Sequence, residues 1–146
     1  MPFHPRYLKP VCVVLGLTQL LPALWIVIAP HSFFTHVGPF GAYNSHYLGD
    51  AAAFQAGIGV ALLASAWLEP LRAGALLAGF GAVLFHTVNH WIDVNAANGS
   101  SNADVADAIL LTILTLVIIA PLQAALRKEA TCESSWQAHR AQSGNF

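Results

Sequence analysis

Residues 73–93 read AGALLAGFGAVLFHTVNHWID. The first twenty of these positions carry no Asp, Glu, Lys or Arg, which is the length and composition of one helical crossing of a bilayer. On a helix, His86, His90 and Asp93 follow the i, i+4, i+7 rule and share a stripe. That stripe runs back through Ala82 and Gly79 to Ala75. Small residues on a spanning helix face another helix rather than lipid, so the two imidazoles are expected to point into protein.

The rest of the chain has the same character. Of 146 residues, 56% are hydrophobic and only 9% charged, and the mean hydropathy is +0.59, outside the balance of a soluble domain. Apolar segments at roughly 11–29, 47–68, 73–92 and 105–126 are each near the ~20 residues that span a bilayer as a helix. The fold class expected is therefore all-α. Residues 1–128 are read as a single four-transmembrane-helix bundle, and 129–146 as a polar, mobile cytoplasmic tail. The first apolar run ends in Ala-Pro-His-Ser (29–32) without a small-residue cleavage signature, and so reads as a retained span. Cys12 sits in that span and Cys132 in the tail, which leaves no disulfide framework. With six basic residues and a formal charge of −1, the partner expected is the lipid bilayer and not nucleic acid.

Between the spans, Pro30 is expected to stop the first helix, and the aromatic, Gly/Pro-punctuated segment 31–44 to lie as a loop at the membrane interface. The second span opens on Ser45-His46-Tyr47-Leu48-Gly49-Asp50. His46 and Asp50 share one face there, extended by Ala53, Gly57 and Ala61, a small stripe expected to pack on that of the third span. Pro70 should end the second helix, with Arg72 at the membrane edge. Residues 94–103 have loop composition. The glycosylation-like Asn98-Gly99-Ser100 is discounted as a poor acceptor so near the membrane. Ser101 or Asn102 could cap the fourth helix, whose first turn holds Asp104 and Asp107.

All six basic residues (Arg6, Lys9, Arg72, Arg127, Lys128, Arg140) fall at the N-terminus, between spans two and three, or in the tail. The positive-inside rule then places both termini in the cytoplasm. The opposite side collects five of the seven histidines and four of the seven acids. At about 1.5 Å per residue, Asp50 comes level with Asn89 and His90, and His46 with Asp93. Imidazole and carboxylate are the donors that zinc, copper, iron and manganese take when thiolate is absent. His46, Asp50, His86 and His90 are thus candidate ligands of a transition metal, with Asp93, Asp104 or Asp107 as further ligands or outer partners. A structural network tying the helix ends together is the competing reading, and proton transfer or small-ligand binding a third. His31 and His36 read as interfacial histidines. Haem is disfavoured because His46 is shallower than His86. No zinc-protease or nucleophile-elbow pattern occurs, so no reaction is named.

The residues that open the second span, the Gly/Ala-rich body, and Phe-His-Thr-Val-Asn-His-Trp-Ile-Asp at 85–93 together resemble small four-helix bacterial membrane proteins of the DoxX-like kind. The similarity covers roughly positions 10–126 and is strongest to an actinobacterial subgroup with a His and an Asp opening its second span. The resemblance implies a multi-pass protein of the bacterial inner (plasma) membrane whose polar positions are His46, Asp50, His86 and His90. It also implies an alternative function, as an accessory subunit of a membrane oxidoreductase-type complex, or a homo-oligomer, with no chemistry of its own. The cysteine pairs of a thiol-redox member are missing here.

Overall fold

The computed structural model of the chain describes residues 5–38, 41–96 and 102–143, and among these all regular structure is helical. After a 3-10 turn at Pro5–Tyr7 come α1 (Leu8–Ile28), α2 (Pro30–His36), α3 (Ser45–Ser65), a second 3-10 turn at Glu69–Leu71, α4 (Arg72–Ala96) and α5 (Asn102–Ser143). Four stretches are long and apolar enough to cross a membrane: 8–28, 45–65, 69–95 and 104–140. A helix of 21 residues, the length of α1 and of α3, is about 31 Å long and matches the hydrocarbon thickness. Phe54, Phe85, Leu110 and Leu116 stand exposed along these helices, as side chains that meet lipid do. The chain is a multi-pass membrane protein.

Packing divides the chain into two compact units, residues 9–79 and residues 1–8 with 80–146. In the first, α1 and α3 approach backbone to backbone. A Cβ at Gly59 would lie 3.0 Å from the Gly16 carbonyl oxygen and 3.0 Å from the Leu20 nitrogen, and one at Gly16 would lie 2.7 Å from Leu63 Cγ. Further along the same contact Ala23, Ile26 and Ala52 form a buried cluster, with Phe33, Leu48 and Ala56 against it. The packed face of α3 is therefore Ala52, Gly59, Leu62, Ser65 and Ala66.

This corrects the expectation for that helix. Ala53 and Gly57 lie on the exposed side with His46 and Asp50, and nothing lies within 4 Å of a Cβ built on Gly57. Both sides of α3 carry small residues, so periodicity alone did not choose between them. On α4 only the first half of the expected stripe is packed: Ala75 and Gly79 are buried, and a Cβ at Gly79 would meet Leu62 Cδ1 of α3 at 3.2 Å, whereas further along it Ala82 and His90 are half-buried and His86 and Asp93 exposed, so the imidazoles are not enclosed as expected. Gly59→Ala is expected to destabilise the protein in mild detergent by about 1–3 kcal/mol through overpacking. Gly57→Ala should be neutral or slightly stabilising, because alanine is the better helix former. Equal thermal midpoints for the two variants would show the wrong face to be packed.

Three further boundaries differ from expectation. Pro30 does end α1, at Ala29 with φ −144°, but it also serves as the first residue of α2, where its missing N–H costs nothing. The segment read as a loop is thus helical over 30–36. Trp25 stacks edge-on against Phe33 (5.7 Å), and Tyr43 meets both His31 (5.2 Å) and Phe34 (5.4 Å) edge-on. Asn44 then caps α3, its Oδ1 accepting the Tyr47 N–H at 3.0 Å. Next, α3 ends at Ser65, five residues before Pro70. Finally, α5 does not stop at the end of its apolar run but continues to Ser143, with Pro121 inside it. The tail of Ala, Arg, Lys, Glu and Gln is made largely of good helix formers. Asn98-Gly99-Ser100 and Ser101 lie outside the described residues, and Asn102 is the first residue of α5.

At the start of α4, Arg72 is buried, with 7% of its surface exposed. Its guanidinium donates to the carbonyl oxygens of Ser65 (3.1 Å) and Ala66 (3.2 Å) and to Glu69 Oε1 (3.3 Å). Beside this turn, Lys9 Nζ lies 5.0 Å from the centre of the Trp67 ring.

Candidate metal centre

His86 and His90 are brought together as the spacing requires. One turn apart on α4, their Nε2 atoms lie 3.0 Å from each other and their ring centres 4.8 Å. At that distance one imidazole can donate an N–H to the other. The pair lies on the stripe of Ala75 and Gly79, about 9 and 15 Å from the far end of α4 by helical rise, inside the spanning stretch 69–95. Ionisable groups at such depth are functional-site candidates by default.

What fixes α4 here is its contact with α5. Thr87 and Trp91, one residue beyond each histidine, project about 100° round the helix and hydrogen-bond to α5. The hydroxyls of Thr87 and Thr115 meet at 2.9 Å, both residues being buried, and Trp91 Nε1 donates to Thr112 Oγ1 at 3.0 Å. Each threonine hydroxyl also lies 2.8 Å from a carbonyl oxygen of its own helix, Thr87 from Val83, Thr112 from Ala108 and Thr115 from Leu111; Thr112 donates there, as does whichever of Thr87 and Thr115 accepts in the rung between them. A hydroxyl shared between two helices in a bilayer is worth about 0.6 kcal/mol on average, so these two rungs set rotation more than stability. They aim the imidazole stripe away from α5. Sequence reading missed them, although three threonines in two apolar runs were the available signal.

The other expected ligands are arranged differently. His46 Nε2 and Asp50 Oδ2 are 3.7 Å apart, with 90% and 63% of their side chains exposed. They form a loose pair on the outer face of α3 and do not point inward as expected. Asp93 is exposed and accepts from Asn89 Nδ2 at 3.3 Å. Asp104 is half-buried in the first turn of α5, and Asp107 is exposed one turn later. On α2, His36 Nδ1 donates to the Ser32 carbonyl at 2.8 Å, and His31 stacks on Tyr43. Gln55 of α3, not singled out in the sequence, keeps its side-chain oxygen buried without a hydrogen-bond partner. Among the described residues no group of three or more His, Cys, Asp or Glu side chains could hold one ion.

The donor set that remains is therefore two imidazoles on adjacent turns. Two histidine nitrogens at 2.0–2.1 Å from a tetrahedral ion stand about 3.3 Å apart, so the pair needs to open by only a few tenths of an ångström. Cys12 is buried and Cys132 exposed, both as free thiols. No family model, curated protein or solved structure matches this chain, so the reading of the site stands on its own geometry.

Proposed function

We propose that this membrane protein binds a transition-metal ion through Nε2 of His86 and Nε2 of His90. The observation that carries the reading is the 3.0 Å convergence of those two atoms within a spanning helix. Imidazole without thiolate suits zinc, copper and iron. An ion held by two protein nitrogens keeps at least two positions for water or another donor, which is what binding or handling of a small ligand needs. His46, Asp50, Asp93 and Asp107 are left out of this ligand pair.

Elemental analysis tests the proposal. Protein purified in mild detergent, stripped with chelator and reloaded with zinc or copper should retain about one ion per chain after desalting. Metal at background after reloading leaves only a hydrogen-bonded imidazole pair and sinks the reading. The basic-residue distribution supports an orientation with both termini in the cytoplasm and residues 93–104 outside. A cysteine placed at Ser100 should then react with an impermeant thiol reagent in intact cells. Reaction only after lysis reverses the orientation.

A further inference from the structure

The stripe of α4 that carries the imidazole pair is polar in one direction only. From His86 back towards the start of α4 it runs through Ala82, Gly79 and Ala75, whose side chains offer no donor atom. In the other direction it reaches Asp93, about 4.5 Å beyond His90 by helical rise and within about 60° of it round the helix. Asp93 is exposed. Among the described residues its one polar partner is Asn89, whose Nδ2 donates to Oδ2 at 3.3 Å, which leaves Oδ1 open. No Lys or Arg occurs between Arg72 and Arg127 to pair with it in this part of the chain. Three residues further on α4 ends at Ala96, where the last carbonyls present the negative end of the helix dipole. Carboxylate and dipole both favour a cation there. Yet Asp93 does not converge with both imidazoles, since among the described residues no three such side chains could hold one ion.

We propose that Asp93 loads the His86/His90 pair: its carboxylate captures a hydrated divalent cation at the end of α4, and the ion then moves one turn down the stripe, exchanging water for imidazole, without keeping Asp93 as a ligand. The inference rests on the metal reading of the pair. A dication about 7 Å from a carboxylate in water is enriched about five- to tenfold at low ionic strength, so Asp93 acts on the rate of entry. Asn89 holds the carboxylate on the stripe without neutralising it. Asp104 and Asp107 belong to α5, away from which the Thr87–Thr115 and Trp91–Thr112 rungs turn the imidazoles, and they do not share this role.

Stopped-flow mixing of the full chain, in mild non-ionic detergent, with copper(II) tests it, because copper quenches indole fluorescence and Trp91 follows His90 directly. The wild type should show a quenching phase whose rate rises linearly with copper and which His86→Ala lacks. In Asp93→Asn the association rate of that phase should fall about five- to tenfold at low ionic strength, and the gap should close in 0.5 M salt, where charges are screened within about 4 Å. The dissociation rate, read by a chelator chase, should stay within about twofold of wild type. Asp93→Glu should restore entry, and Asp107→Asn, the same change of charge on α5, should leave it within about twofold. An unchanged association rate in Asp93→Asn, equal slowing by Asp107→Asn, or faster dissociation with normal entry, which would make Asp93 a ligand of the seated ion, would each overturn the loading role while leaving the metal pair in place. A wild type with no His86-dependent phase would remove the pair itself, and the loading role with it.

Discussion

His86→Ala and His90→Ala should each lower transition-metal affinity by at least about a hundredfold under the proposed ligation. Even the loss of an outer-shell partner commonly costs 10- to 100-fold, and each substitution removes one of only two protein nitrogens. Ligation uses neutral imidazole, so protons compete with the ion. Occupancy should therefore fall as pH is lowered. His31→Ala and His36→Ala serve as controls, because those side chains are engaged on α2 by Tyr43 and by Ser32. Isothermal titration in detergent reads the affinities. If the α2 substitutions abolish binding while the α4 substitutions leave it intact, the site has been put on the wrong helix. If the α4 variants lose stability while metal never exceeds background, the imidazoles only tie α4 together.

Replacing Arg72 by leucine should cost about 3 kcal/mol of stability. Two of its hydrogen bonds run from a charged donor to carbonyl oxygens in the last turn of α3, and bonds of that kind are worth about 1.5–3 kcal/mol each. The third partner, Glu69, has a side chain 59% exposed, so its ion pair adds little. Glu69→Gln should accordingly shift the thermal midpoint far less than Arg72→Leu. Similar losses for both variants would mean that the salt bridge, and not the capping of α3 by a buried guanidinium, holds this turn.

The sequence showed most clearly what physical chemistry makes periodic. The spans followed from the length of their apolar runs, and the 3.6-residue period of α4 by itself puts His86 and His90 side by side. Pro30 was legible as a stop, but not as a start. An aromatic stretch with a proline at its head can continue as one short helix when a ring such as Phe33 finds a core to enter. Which side of α3 packs was illegible because Gly49, Ala53 and Gly57 are as small as Ala52 and Gly59. The choice depends on where Leu20 and Leu63 fit, a tertiary matter. His46 and Asp50 went outward with the wrong side, and the expected four-ligand cluster was lost with them. Arg72 was read as a basic residue at the membrane edge, whereas its buried cap of α3 depends on backbone carbonyls that no side-chain pattern encodes.

X-ray absorption spectroscopy of the metal-loaded protein addresses the central claim most directly, because it counts imidazoles around the ion without reference to any variant's folding. An ion held by His86 and His90 should show nitrogen and oxygen neighbours only, near 2.0–2.1 Å for zinc. The outer-shell scattering should fit about two imidazoles, falling to about one in His90→Ala. Sulfur in the first shell, or an imidazole count that does not change in His90→Ala, would contradict the account.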